Sequence, residues 1–137
     1  VRLKKILVID DELTVLQFFK LFLSNAGFSV ITTNNLRDAY SKVFWRKMDL
    51  ILLDIVFPNE NGLDLLKHLK ENVRTRHIPV IVVTGYNKDE YRELAAERYA
   101  EHFIMKTEPG ESMLNKINGI LNASHPEPGL LARIFRW

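Results

Sequence analysis

The sequence predicts an α/β fold: a doubly wound, five-stranded parallel sheet with helices on both faces. Three observations carry that expectation. Short runs rich in β-branched residues or leucine alternate with longer helical patterns along the whole chain. Four of the five short runs are nearly continuous in apolar residues, as strands covered on both faces must be. And 137 residues, 47% hydrophobic and 26% charged, make one domain of ordinary size, able to bury roughly 68–70% of its unfolded surface without covalent staples.

The strand candidates are Ile6 to Ile9, Phe28 to Thr32, Leu50 to Leu53, Ile78 to Val83 and His102 to Met105. The first helix carries Val15, Phe18, Phe19 and Phe22 at i, i+3, i+4 and i+7, and Gly27 stands where a left-handed residue would end it. The second, about Asn35 to Arg46, places Leu36, Ala39, Tyr40 and Val43 behind an asparagine able to cap its free amides. The third runs from Gly62 to about Asn72 with Leu66 and Leu69 leading its inner face. In the fourth, Asn87 and Glu90 have capping-box spacing ahead of Tyr91, Leu94 and Ala95. Pro109 suits the first turn of the fifth, where Leu114, Ile117 and Leu121 form the stripe. Ser124 to Gly129 then breaks the pattern, so the expected organisation is a domain over 1–123 and a tail over 124–137.

Composition narrows the function. Nineteen Lys and Arg against 17 Asp and Glu leave +2, too little for nucleic-acid binding by this chain alone unless clustered on one face. The absence of cysteine excludes disulfides, thiolate metal sites and a cysteine nucleophile. No apolar stretch approaches a membrane span, the start lacks a signal peptide's apolar region, and a cytoplasmic protein is the default. His68, His77, His102 and His125 share no metal-ligand spacing and read as structural or solvated. Trp45 and Trp137 read as packing residues, because no basic stripe interleaves with aromatics.

Parallel strands all point the same way, so polar groups at their carboxyl ends converge on one rim. Asp10 and Asp11 end the first run, Asp54 the third, Thr84 the fourth and Lys106 the fifth. Any one of these alone reads as a turn or helix cap; capping gives no reason for a lysine beside three carboxylates. Acids so gathered repel by about 4 kcal/mol per pair at about 4 Å and an effective dielectric of about 20, so they require a cation or raised pKa values. An all-oxygen set of this charge suits Mg²⁺, which keeps several of its waters.

Asp10-Asp11 after Ile6 to Ile9, Asp54 within Leu52-Leu53-Asp54-Ile55-Val56-Phe57-Pro58, Asn61-Gly62, Thr84-Gly85 and Lys106 together resemble the receiver domain of bacterial two-component response regulators. The resemblance covers about Leu3 to Ala123, and the order and spacing of these motifs make it specific. It implies strand order 2-1-3-4-5, the flavodoxin-like, CheY-like arrangement. It also implies that Asp54 is the phosphoacceptor of a phosphorelay, taking a phosphoryl group from a sensor histidine kinase or phosphotransfer protein and so performing its own modification. Asp11, Asp54 and the backbone carbonyl of Val56 would hold Mg²⁺ directly, with Asp10 acting mainly through water. Thr84 and Lys106 would bind phosphoryl oxygens. Thr84 and Phe103 would form the switch, and the fourth helix, fifth strand and fifth helix the surface presented to a downstream protein or output domain.

Two departures stand out. Receivers usually have proline after the lysine, joined by a cis bond, whereas Lys106 is followed by Thr107; a trans bond and a reshaped loop are expected, because a cis bond here costs about 3 kcal/mol. Val56 and Tyr86, two residues beyond Asp54 and Thr84, offer no amide or carboxylate to orient an attacking water, which implies a long-lived phosphoryl state. Three other readings compete. A degenerate receiver would act as an interaction module without phosphate. An aspartyl-phosphate phosphatase would want a second acid where Val56 stands. A flavin-binding module would want glycine and hydroxyls in the acidic first loop, Asp10 to Thr14. The tail, with Leu130, Leu131, Ile134 and Phe135 on one possible helical face, could dock on its own domain, bind a partner, touch a membrane surface or begin a linker.

Overall fold

The computed structural model describes residues 2–85 and 99–123, and at Thr84 the backbone alone. The elements are β1 (Lys5–Ile9), α1 (Leu13–Asn25), β2 (Ser29–Thr33), α2 (Leu36–Trp45), β3 (Leu50–Leu53), α3 (Gly62–Glu71), β4 (Val80–Thr84), β5 (His102–Met105) and α4 (Gly110–Asn122). The helix expected around Tyr91 and the tail from Ser124 to Trp137 lie outside the described residues, so α4 is the fifth helix of the sequence reading.

The five strands form one parallel sheet in the order β2-β1-β3-β4-β5. Successive side chains alternate between two cores. Ile6, Val8, Leu50, Leu52, Ile81 and Ile104 meet Leu16, Phe19 and Leu23 of α1 and Met113 and Ile117 of α4. Leu7, Ile9, Ile51, Leu53 and Val82 meet Ala39 and Val43 of α2 and Leu65, Leu66 and Leu69 of α3. Burial on both faces explains why Ile6 to Ile9 and Leu50 to Leu53 carry no polar residue.

Local chemistry sets the boundaries. The second strand begins at Ser29, one residue later than expected, because the Phe28 N–H turns back to the Leu23 carbonyl (3.1 Å) as Gly27 ends α1 with φ +97°. The fourth begins at Val80 rather than Ile78: the Ile78 N–H bonds to the Thr75 carbonyl (3.0 Å), and Pro79 has no N–H to donate. Asn35 caps α2 by accepting the Asp38 N–H (2.7 Å), and Asn61 caps α3 by accepting the Leu63 N–H (3.0 Å). Pro109 occupies the N-cap position of α4, one residue before the expected place.

Two inner faces differ from the reading. On α1 the buried residues are Leu16, Phe19 and Leu23, while Phe18 is 50% exposed and stacks on Phe22 with ring centroids 5.3 Å apart. With Lys20 its only charged residue, the helix is apolar nearly all round, so its periodicity selected no side. On α4 Met113 and Ile117 are buried, with Leu114 and Leu121 at the margin. Trp45 does not pack: it is 85% exposed, about 200° round α2 from Val43 at about 100° per residue.

At the end of the sheet opposite the acidic rim lies an ion pair the sequence reading missed. Lys70, 1% exposed, pairs with Glu101 and donates to the carbonyls of Ile78 (2.7 Å) and Arg76 (3.2 Å). Glu101 accepts the Val80 N–H (2.6 Å) in return. Burial pushes the Lys70 ammonium down and the Glu101 carboxyl up, and their mutual attraction opposes both shifts.

Candidate functional site

The ladder continues one residue beyond β1 and β3. The Asp10 N–H donates to the Thr33 carbonyl (3.2 Å) and the Asp54 N–H to the Ile9 carbonyl (2.9 Å). That register sets Asp10 and Asp54 side by side on the rim, 2% and 4% exposed. Lys106 follows Met105, the partner of Thr84 in the last strand pair, and its Nζ reaches across β4 to lie 2.8 Å from Asp10 Oδ2, 3.0 Å from Asp54 Oδ2 and 3.8 Å from Glu12 Oε1. The other oxygens of the two aspartates accept backbone N–H groups two residues on, Glu12 to Asp10 Oδ1 and Val56 to Asp54 Oδ1, both at 2.9 Å.

Burial pushes the Asp54 carboxyl up to about 6; the Val56 N–H opposes it, the neighbouring Asp10 adds to it, and Lys106 opposes it. For Lys106 burial alone would lower the pKa, but Asp10 and Asp54 together hold it above the ordinary lysine value.

Asp54 opens on a cleft of about 400 Å³ that is also lined by Asp11, Glu12, Val56, Phe57, Pro58, Gly85 and Lys106. Carboxylate oxygens of Asp10, Asp11 and Glu12 lie within 4.8 Å of one another. Glu12 therefore belongs to the site, although the sequence reading saw only an acidic loop. Four carboxylates against one ammonium, with oxygen donors throughout, match the requirements of a hard divalent cation.

The rest of the frame is backbone. A Cβ on Gly62 would come within 2.5 Å of Ile55 Cα and 2.8 Å of the Asp54 carbonyl oxygen, so only glycine lets α3 begin against the segment that carries Asp54. Val56 pairs with Asn61 across the loop between them. No described peptide bond is cis, so Lys106 reaches the acids through the expected trans bond to Thr107. Thr84 is placed by its backbone at the end of β4, and its hydroxyl lies outside what the structure describes. Tyr86 lies outside the described residues. Phe103 is partly buried on β5, packed against the core on the α2 and α3 side of the sheet.

A family model described as the response regulator receiver domain matches residues 6–118. Phosphate regulon transcriptional regulatory protein PhoB of Pseudomonas aeruginosa is 28% identical over 123 residues, 90% of this chain and 54% of that protein. Transcriptional regulatory protein CpxR of Escherichia coli is 32% identical over 123 residues, again 90% of this chain and 51% of that protein. This chain thus spans about half the length of such relatives. Among solved structures, a CheY-like response regulator receiver domain protein from Methanospirillum hungatei superposes with a TM-score of 0.81 at 28% identity, covering 88% of this chain and 95% of that one. The strand order, the acidic rim with its lysine and the family match converge: the chain belongs to the response regulator receiver domain family of two-component signalling.

Proposed function

We propose that Asp54 is the phosphoacceptor. One carboxylate oxygen attacks the phosphorus of a phosphohistidine on a sensor kinase or phosphotransfer protein; the P–N bond breaks, its electron pair stays on the imidazole, and Asp54 becomes an acyl phosphate. The observation that carries this reading is that, of the two buried aspartates that meet Lys106, Asp54 is the one that lines the acidic cleft, 4% exposed with Lys106 Nζ at 3.0 Å.

Asp11, Asp54 and the Val56 carbonyl are the groups that would hold Mg²⁺, with Asp10 acting through water. The ion, when bound, neutralises charge on the transferring oxygens. Lys106 exchanges its contact with Asp54 for one with a phosphoryl oxygen, and the Thr84 hydroxyl donates to another. Phe103 on β5 follows the threonine, so the signal leaves through the segment after Thr84, β5 and α4 to a downstream protein or output domain. No described helix is long and apolar enough to cross a membrane.

Incubation with acetyl phosphate and Mg²⁺ tests the reading. An alkali-labile adduct is expected on the natural chain and none on Asp54→Asn; an adduct that survives this substitution, or none on either, overturns it. A phosphate-independent interaction module drew its support from the missing Lys-Pro pair, and Lys106 meets Asp54 without that pair.

A further inference from the structure

The turn that delivers Lys106 is closed by hydrogen bonds from both sides. The Glu108 N–H donates to the Met105 carbonyl and the Met105 N–H donates to Glu108 Oε1, both at 2.9 Å. Lys106 and Thr107 lie inside this reciprocal pair, so their backbone has little freedom. The Glu108 carboxylate is itself held on the other side: the Ser112 hydroxyl donates to Oε2 and Lys116 Nζ to Oε1, each at 2.6 Å. Lys116 also donates to the Phe103 carbonyl (3.2 Å) and stands 5.6 Å from the centroid of the Phe103 ring. One carboxylate therefore ties the residue before Lys106 to the first two turns of α4, and its lysine partner touches the aromatic three residues earlier on the same strand. Burial would raise the Glu108 carboxyl, and Lys116, Ser112 and the Met105 N–H together hold it below the usual range, so it stays an anion and an acceptor at neutral pH.

A turn with a freely rotating Lys106–Thr107 segment would leave the ammonium to choose among Asp10, Asp54, Glu12 and solvent. Such freedom weakens a contact that must form as phosphoryl arrives, since about 1 Å of misplacement can cost on the order of 100-fold in rate. We infer that Glu108, clamped by Ser112 and Lys116, is the positioning residue for Lys106, performing with hydrogen bonds the task of fixing the β5–α4 turn in a chain where threonine follows the lysine. The inference rests on the proposed roles of Asp54 and Lys106, and it adds a residue that touches neither phosphate nor metal. Because Lys116 serves Glu108 and Phe103 together, the same clamp links the position of Lys106 to that of Phe103.

Two measurements on Glu108→Ala, Glu108→Gln, Lys106→Ala and the double variant Lys106→Ala/Glu108→Ala test it. In acetyl phosphate labelling with Mg²⁺, Glu108→Ala is expected to lower the maximal rate about tenfold with the half-saturating donor concentration unchanged, and Glu108→Gln, which keeps an acceptor for the Met105 N–H, to stay within about threefold of the natural chain. In the Lys106→Ala background Glu108→Ala should add less than about twofold, because its effect runs through Lys106. A fold-wide loss would persist in that background and would overturn the inference. The second measurement uses no phosphate or metal: the Lys106 ammonium, identified by its disappearance in Lys106→Ala, should give an exchange-protected NMR signal that Glu108→Ala loses and Glu108→Gln keeps. Retention of that signal in folded Glu108→Ala overturns the inference. If the natural chain takes no label, the phosphoacceptor reading fails, and the ammonium signal still decides the role of Glu108.

Discussion

Asp10 and Asp54, each one residue beyond the end of adjacent strands, hold Lys106 in the same way. Each gives one carboxylate oxygen to a backbone N–H two residues on, at 2.9 Å, and turns the other to the same ammonium, at 2.8 and 3.0 Å. Two buried acids that would repel one another are thereby joined through one cation.

Removing that cation leaves two buried carboxylates uncompensated. Lys106→Met is expected to lower the stability of the metal-free protein by about 3 kcal/mol, and Mg²⁺ to restore part of the loss by supplying the missing positive charge. Urea denaturation in EDTA and in millimolar Mg²⁺ measures both. Equal stability of variant and natural chain in EDTA would mean that the acids do not depend on Lys106.

Asp54 gives the metal-free protein a defined pH dependence. Its carboxyl titrates near about 6 in the folded chain, against about 3.9 when unfolded. Between these values the folded state keeps a proton the unfolded state has lost, so the contribution of Asp54 to stability is complete below about pH 4 and falls away as pH rises through about 6. Asp54→Asn escapes that loss. In EDTA it should match the natural chain at about pH 4 and exceed it at pH 7 by about 1–2 kcal/mol, after allowance for solvent screening. The same proton competes with divalent binding, so calorimetric Mg²⁺ affinity should weaken below about pH 6.

Gly62 is the position where packing and site meet. Gly62→Ala forces a methyl group into the backbone of Asp54 and Ile55; it should lower stability by about 1–3 kcal/mol and slow labelling of Asp54. Gly119 in α4 is the contrast, with nothing within 4 Å of an added Cβ, and Gly119→Ala should raise the melting temperature through helix propensity worth about 1 kcal/mol. Thermal denaturation of the pair checks both directions.

Val56 lies at the mouth of the cleft, 40% exposed, and carries nothing that could align a water on the acyl phosphate. The labelled protein is expected to keep its phosphoryl group for hours in Mg²⁺ buffer, and Val56→Asn to shorten that lifetime several-fold. Rapid loss of label from the natural chain would contradict the assignment.

Much of this architecture was legible in the residues. Leu50 to Leu53 begins and ends where the apolar run does, because a strand buried on both faces admits no polar residue within it. Asp10, Asp54 and Lys106 could be assigned to one rim before any coordinate was known, because parallel strands deliver their carboxyl ends to the same side. Gly27 and Asn35 announced a helix end and a helix start through backbone chemistry that is local by nature.

What the chain order left open is what depends on partners far along it. Lys70 and Glu101 are 31 residues apart; no local pattern marks that pair, since each member alone reads as an ordinary surface charge. The inward side of α1 was undetermined because a helix apolar nearly all round carries no angular preference until the sheet selects Leu16, Phe19 and Leu23. Glu12 and Glu108 acquired their places from turns whose closure depends on the strands behind them. The sequence by itself determined the class of fold and the rim where chemistry would gather, through periodicity and strand direction. Only the packed structure decided which charges meet, because burial makes an unpaired charge costly and so selects its partner in space.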